Sequence, residues 1–285
     1  MHKNFMAKIK IVTDSTSSLP AAYSAQHDIA VVQLTYIFEG ESYIEGTPEE
    51  WSDFYQRFAV SKDFPKTSQA GIHGFIKAYE QALFQEGYDG VICMVVSGGV
   101  SGTYNSAIQA ARMVDEQRIQ VVDSLGGASS LKMLVERTVA RIQKGMSLAR
   151  LVECAQHDAS HMKYQLTAAT LDYLQRSGRL SKAMAMLGGA LKILPLVELV
   201  DGKMEVIERV RGGKGKVVEK MIARMPEKCV CIGVTHVLAY EDAQKIAERL
   251  EGMYPGVPIR IDQANPSIGS HLGPGAIGIA ALWEE

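Results

Sequence analysis

Long uninterrupted apolar runs are absent from this sequence. No stretch approaches the ~20 consecutive apolar residues that a membrane-spanning helix requires, although 47% of the 285 residues are hydrophobic and a sizeable core can form. The segment from Met1 to Lys10 also lacks an apolar core of signal-peptide length. We therefore expect a soluble globular protein with no stable membrane insertion and, by elimination, a cytoplasmic location.

A strong excess of one charge is missing as well. The 30 basic and 32 acidic residues give a formal net charge of −2. Binding along a phosphate backbone requires clustered Lys and Arg, so we expect no nucleic-acid partner. The acidic residues that do cluster, namely Glu39, Glu41, Glu45, Glu49 and Glu50, are predicted to form a solvated face.

Cysteine is scarce, and the chain has no recognisable metal-binding pattern. The four cysteines are scattered, and the one close pair, Cys229 and Cys231, is not spaced as in redox or zinc motifs. His157 and His161 stand four residues apart without a nearby third ligand. We therefore expect buried thiols in a reducing compartment, no metal and no cofactor.

Short β-branched runs alternate with amphipathic helical patterns, as in α/β proteins whose strands are covered on both faces. In the first half, the runs 9–13, 90–97 and 119–123 are bounded by turn or polar residues and predict buried strands. Apolar residues three and four apart over 104–114 and 131–142 predict helices.

A different pattern begins near residue 160. Asp201-Gly202 separates two β-type runs, which is a strong signal for a hairpin and therefore for antiparallel strands. The runs 230–237 and 258–262 predict further strands. We predict an α/β protein of two domains, a Rossmann-like, parallel-rich domain over residues 1–160 and a mixed-sheet domain over residues 161–285.

Polar residues follow each predicted strand of the first half. The runs end in Asp14-Ser15-Thr16, in the Ser- and Gly-rich segment 97–103, and in Asp123-Ser124. Ligands of open α/β sheets lie beyond the carboxyl ends of the strands, so these hydroxyl and amide groups are candidate donors to an anion. Helix capping is the simpler explanation for any one of them taken alone.

A series of short motifs extends in order along nearly the whole chain. The motifs are Ile9-Lys10-Ile11-Val12-Thr13-Asp14-Ser15, Thr67-Ser68-Gln69, Ser101-Gly102-Thr103-Tyr104-Asn105-Ser106-Ala107, Val121-Val122-Asp123-Ser124, Leu171-Asp172-Tyr173-Leu174, Ser177-Gly178-Arg179-Leu180, Val210-Arg211-Gly212 and His271-Leu272-Gly273-Pro274-Gly275-Ala276. With them the sequence resembles the DegV family, which includes the fatty-acid-binding subunits of bacterial fatty acid kinase. It departs from the family pattern at Ala70, where Pro usually follows Thr-Ser-Gln, and at Ser177, where Gly is usual.

The resemblance implies a DegV-like fold and a lipid-binding protein that is not itself an enzyme. Such a protein holds one long-chain fatty acid in a buried tunnel and presents its carboxylate to the catalytic subunit of a fatty acid kinase. The resemblance implies that the carboxylate is bound by residues of the set Thr67, Ser68, Ser97, Ser101, Gly102, Thr103 and His271. It leaves open which serine of the 97–101 loop takes part.

Residues are also predicted for the acyl chain, from an apolar stripe, and for transfer, from the resemblance. The amphipathic stripe after Leu180 is predicted to line the tunnel, although such a stripe is equally typical of ordinary core packing. The tunnel residues are Met184, Leu187, Leu191 and Leu194, and those for presentation to the kinase are Arg179, Arg211 and His271.

Two other functions remain open at this point. Ser101 or Ser97 with His271 and Asp123 could form the triad of a small hydrolase or acyltransferase, but the sequence lacks the Gly-x-Ser-x-Gly elbow that exposes such a nucleophile. A P-loop kinase is not among them, because no Ser or Thr follows the glycine-rich segment 212–216 to hold magnesium. The remaining alternative is a protein–protein adaptor whose bound lipid is incidental.

Overall fold

The computed structural model describes residues 7–170, 172–180 and 193–284. Its strands are β1 Ile9–Asp14, β2 Ile29–Val32, β3 Thr35–Phe38, β4 Glu41–Ile44, β5 Lys66–Ser68, β6 Gly90–Val95, β7 Ile119–Asp123, β8 Met162–Thr167, β9 Ile193–Val200, β10 Lys203–Arg211, β11 Cys229–His236, β12 Ile259–Gln263 and β13 Ile277–Trp283. Its α-helices are α1 Ala21–Gln26, α2 Ser52–Val60, α3 Ile72–Glu80, α4 Thr103–Val114, α5 Ser129–Gln143, α6 Leu148–Ser160, α7 Asp172–Ser177, α8 Lys214–Ala223, α9 Tyr240–Met253 and α10 Pro266–Leu272.

The first sheet is parallel throughout, with the order β2-β1-β6-β7. Successive side chains of a strand point to opposite faces, and both faces are buried here. Val91 and Cys93 of β6 pack in one cluster with residues of α3 and α4, whereas Ile92 and Met94 pack in another with residues of α5 and α6. Helices therefore cover the sheet on both sides, which confirms the predicted parallel-rich α/β architecture.

The second sheet is mixed, with the order β10-β9-β8-β13-β11-β12. Among the pairings of its described strands, only β11–β12 is parallel, and the others are antiparallel. The predicted hairpin joins β9 to β10 through Asp201 and Gly202, whose φ angles of 47° and 74° suit a two-residue hairpin turn. The predicted mixed sheet is therefore confirmed.

Helix α5 lies between the two large sheets and joins them by polar contacts. The Ser129 hydroxyl is 2.6 Å from Thr235 Oγ1 and donates to Asp262 at 2.9 Å. Lys132 forms an ion pair of 2.6 Å with the same carboxylate. The first half ends in α6 at Ser160 and the second sheet begins at Met162, while the domain division after residue 160 stays a prediction.

A third, small antiparallel sheet, β4-β3-β5, was not predicted. Its strands have only three or four residues, too few for a clear alternation of apolar and polar side chains. Tyr36 and Phe38 of β3 pack against Phe54 and Phe58 of α2, in a core that also contains residues of the second half. The small sheet therefore joins the first half of the chain to the second.

The prediction of a solvated acidic face was wrong for one residue. Glu39, Glu41, Glu49 and Glu50 are exposed, but Glu45 is only 2% exposed. Glu45 lies just beyond β4, where its carboxylate accepts hydrogen bonds from groups distant in the sequence. The density of acidic residues around it therefore gave a misleading signal.

Candidate functional site

A cavity of about 450 Å³ lies between the two halves of the chain. Segments that follow strands of the first sheet, strands of the second sheet and the small sheet, and α10 all contribute to its wall. Its polar lining residues are Thr16, Thr67, Ser68, Gln69, Ser101, Arg179, Ser267 and His271, and its apolar ones include Leu34, Val96, Val100, Leu166, Leu199, Met204, Ile268 and Leu272, with Tyr164, Gly102, Gly126 and Gly127. The size and the mixed lining are typical of a small-molecule site.

Thr67 and His271 form the central polar contact of the cavity. Thr67 lies on β5, and His271 lies in the last turn of α10. Asn265 caps that helix by accepting from the Ile268 N–H, and Gly273 ends it with a φ of 76°. The Thr67 hydroxyl oxygen and the His271 Nε2 are 2.7 Å apart. The fold therefore brings together two predicted site residues that are 204 positions apart in the sequence.

The His271 imidazole is neutral over the physiological pH range. Burial, together with the positive charge of Arg179, lowers the pKa of His271 to about 3. A neutral imidazole carries one N–H donor and one acceptor nitrogen. His271 can therefore donate its one N–H to Thr67, which leaves the Thr67 hydroxyl proton for an anion, but it supplies no full counter-charge.

The 97–103 loop divides into residues that line the cavity and residues that support it. Ser101 and Gly102 line the cavity, and the Ser101 hydroxyl is 2.9 Å from Thr103 Oγ1. Thr103 is buried and accepts a hydrogen bond of 3.2 Å from the Ala70 N–H. Ser97 is buried and donates at 2.7 Å to the Gly202 carbonyl. Ser97 and Thr103 therefore position the loop, whereas the Ser101 hydroxyl and Gly102 lie at the cavity.

The departure from the family pattern at Ala70 has a structural consequence. Proline has no backbone N–H, so it could not make the hydrogen bond to Thr103 that Ala70 makes. This bond joins the end of the Thr67-Ser68-Gln69 segment to the start of α4. Gln69 adds a second link, because its amide donates at 3.0 Å to the Ser106 hydroxyl.

Strands of the second sheet form part of the apolar wall, whereas most of the stripe that the sequence suggested lies outside the described residues. Leu166 of β8, Leu199 of β9 and Met204 of β10 face the cavity. The runs on either side of Asp201-Gly202 predicted β9 and β10, but the face that meets the cavity depends on how the two halves pack. Gly127 adds room, because a Cβ there would lie 3.3 Å from a Val96 methyl group and 3.5 Å from Ile268 Cδ1.

The remaining predicted residues divide into those that the structure describes and those that it does not. Met184, Leu187 and Leu191 fall outside the described residues, so their part in a tunnel stays a prediction. Leu194 packs against a separate core cluster that contains residues of α8 and α9. Arg211 is exposed at the end of β10 and is not among the lining residues, whereas Arg179 is.

A Ser-His-Asp triad is not assembled from the described side chains. The hydroxyl of Ser101 contacts Thr103, and the His271 Nε2 faces Thr67. The Asp123 carboxylate accepts from the N–H groups of Gly98 and Leu125. These contacts give no support to the hydrolase alternative. Within the described ranges, no group of three or more His, Cys, Asp and Glu side chains could hold a metal ion.

Comparison with known proteins places this architecture in a family. A family model described as an uncharacterised protein of the DegV family matches residues 8–284. The chain belongs to the DegV family. A DegV domain-containing protein of Caldanaerobacter subterraneus subsp. tengcongensis is 33% identical over 279 residues, covering 96% of this chain and 98% of the relative.

Solved structures of other DegV proteins have the same fold. The Bacillus subtilis DegV structure, described as a fatty acid binding protein, is 30% identical with a TM-score of 0.87 and covers 98% of this chain and 100% of that one. A Thermus thermophilus DegV family protein, described by its fatty acid binding, is 30% identical with a TM-score of 0.84 and covers 97% and 100%. In the part of this DegV chain that the structure describes, no helix is long and apolar enough to span a membrane.

Proposed function

We propose that this protein binds one long-chain fatty acid in the cavity between its two halves. The observation that carries the proposal is that a single cavity combines the Thr67–His271 pair and the Ser101 hydroxyl with an apolar wall from the second sheet. The fatty-acid-binding relatives of the same fold support it. In this proposal the carboxylate lies against the polar groups and the acyl chain lies along the apolar wall.

The chemistry of the polar groups suits a carboxylate. Burial of a carboxylate is costly unless it receives hydrogen bonds, and each hydrogen bond to a charged group contributes about 1.5–3 kcal/mol. The Ser101 hydroxyl can supply one such bond, and the Thr67 hydroxyl can supply another when the Nε2–H of His271 donates to Thr67 Oγ1. Arg179 adds positive charge at the cavity wall. Each methylene transferred from water to the apolar wall contributes about 0.8 kcal/mol.

We further propose that the protein presents the carboxylate to the catalytic subunit of a fatty acid kinase and performs no chemistry of its own. Phosphorylation of the carboxylate creates negative oxygens that a guanidinium group can bind with two parallel hydrogen bonds. Arg179 is exposed and lines the cavity, and Arg211 is exposed on β10. In this proposal, both arginines serve transfer more than storage of the fatty acid.

The binding proposal is tested by native mass spectrometry and lipid extraction of the purified protein. We expect about one fatty acid per chain. Thr67→Ala combined with Ser101→Ala should lower the affinity for palmitate at least tenfold, because the carboxylate loses two hydroxyl donors. Ser160→Ala, which removes an exposed hydroxyl bonded to the His157 carbonyl, is the control. Absence of lipid, or unchanged affinity in the double variant, would refute the binding mode.

A further inference from the structure

Glu45 is a buried carboxylate with no part in the site described so far. Its Oε2 accepts a hydrogen bond of 2.5 Å from the Ser15 hydroxyl, and its Oε1 accepts one of 2.6 Å from the Ser267 N–H. Among the described residues, no basic side chain forms an ion pair with it. Burial raises the pKa of Glu45 above its usual value, and the hydrogen bonds from Ser15 and Ser267 only partly oppose this rise.

A buried carboxylate without a cationic partner is a poor source of stability. Removing a charge from water carries a large desolvation cost, and an apolar residue of similar volume often stabilises a protein as well or better. The Glu45 carboxylate instead determines positions, because its two oxygens fix two distant segments relative to β4. The Ser15 hydroxyl is itself fixed, since it accepts from the Leu34 N–H at 2.9 Å.

The segment fixed through Ser267 is the helix that carries His271. Ser267 lies in the first turn of α10, and His271 lies four residues later in its last turn. An α-helix rises about 1.5 Å per residue, so the two positions are about 6 Å apart along the axis. A shift of Ser267 is therefore transmitted directly to the His271 imidazole.

The small sheet holds α10 at both of its ends. Glu45 follows β4 and contacts the start of the helix, while Thr67 of β5 contacts its end through His271. Both strands pair with β3, so the two contact points belong to one rigid unit. Tyr55 adds a third contact, because its hydroxyl donates to the Ala264 carbonyl just before the helix.

We propose that Glu45 is a positioning residue for the polar site: by holding Ser267 through a carboxylate of the right length, it sets where His271 lies relative to Thr67. Glu45 does not line the cavity, so it acts on His271 through Ser267 and α10. The consequence for ligand affinity rests on the proposed function, whereas the consequence for the imidazole does not.

The test reads the His271 imidazole directly in the ligand-free protein. Nuclear magnetic resonance of isotope-labelled histidine reports the hydrogen bonding of Nε2, and His271→Asn identifies the signal among the seven histidines. Glu45→Asp keeps the charge but draws the oxygens back from Ser267. Glu45→Gln keeps the length and an oxygen that accepts from the Ser267 N–H. We expect the Asp variant to shift the His271 signals and the Gln variant to leave them near the parent positions.

Asp158→Ala is the matched control. Asp158 is also a buried carboxylate, but its partners Arg137 and Arg141 lie on α5, away from the cavity lining. This variant should lower stability without moving the His271 signals. The proposal is overturned if folded Glu45→Asp leaves the His271 signals at the parent positions, or if Asp158→Ala moves them equally.

A second measurement separates this proposal from the proposed function. Palmitate affinity, measured by calorimetry on delipidated protein, should fall about tenfold in Glu45→Asp and less than threefold in Glu45→Gln. If the parent binds no palmitate while the His271 signals respond as expected, the fatty-acid function fails and the positioning role stands. If the parent binds palmitate and the Asp variant binds it equally well, Glu45 does not position the site.

Discussion

The polar and apolar walls of the cavity are built from different kinds of structure. Thr67 lies on a strand of three residues that pairs only with β3 among the described strands, and His271 lies on a helix of seven residues. Side-chain hydrogen bonds join these two short elements to each other and to Glu45. Leu166, Leu199 and Met204 lie instead on strands of six to nine residues whose backbones are paired. Ligand binding at the polar wall therefore depends on the positions of individual side chains. Binding at the apolar wall depends on the volume of the space beside it.

The largest effect is expected from filling the apolar side. Gly127→Leu places a side chain beside Val96 and Ile268, where the acyl chain of the proposed ligand would lie. We expect palmitate affinity to fall at least 100-fold, with a loss of about 1–3 kcal/mol in stability from overpacking. Calorimetry and urea unfolding check both values.

The control for this change is a glycine with free space around it. Gly252 lies exposed in α9, and a Cβ there would meet no atom within 4 Å. Gly252→Leu should therefore leave palmitate affinity within twofold of the parent. Equal affinities of the Gly127→Leu and parent proteins would show that the acyl chain does not pass this part of the wall.

The neutral His271 in the polar wall should make the stability of the protein depend on pH. The folded pKa of His271 is about 3, below the usual value of about 6.5 in an unfolded chain. As pH falls below 6.5, the unfolded chain binds a proton that the folded protein does not, so stability decreases with acid until the folded pKa is reached. Between pH 6.5 and 4.5 this loss amounts to roughly 2 kcal/mol.

His271→Asn removes that contribution, so its stability should decrease less steeply with acid than that of the parent. Urea unfolding of both proteins at several pH values measures the difference. Groups such as Asp14, whose pKa burial raises to about 6, titrate in both proteins and largely cancel in the comparison. Parallel pH profiles would mean that His271 is not held neutral by its surroundings.

The two walls also differ in what the sequence could predict. Strand β7 was predicted with its observed bounds, and the turn at Asp201 and Gly202 was predicted correctly, because both signals are local. The Thr67–His271 pairing came only through the family resemblance, since no local pattern relates residues 204 positions apart. Burial of Glu45 could not be predicted, because its donors lie 30 and 222 positions away.

The smallest predicted effect distinguishes the two arginines proposed to serve transfer. Both are exposed, and a charge interaction at an exposed position contributes about 0–1 kcal/mol. Arg179 lines the cavity and lowers the pKa of His271, so Arg179→Ala should weaken palmitate binding by no more than about fivefold, with the loss diminishing at high salt. Arg211 does not line the cavity, and Arg211→Ala should leave the affinity unchanged.

With a partner kinase, both variants should retain lipid but support less acyl phosphate formation, because the negative oxygens that appear during transfer lose a guanidinium partner. Acyl phosphate formation at the parent rate in both variants would contradict presentation by these arginines, and a larger loss of affinity in Arg211→Ala than in Arg179→Ala would place the carboxylate elsewhere.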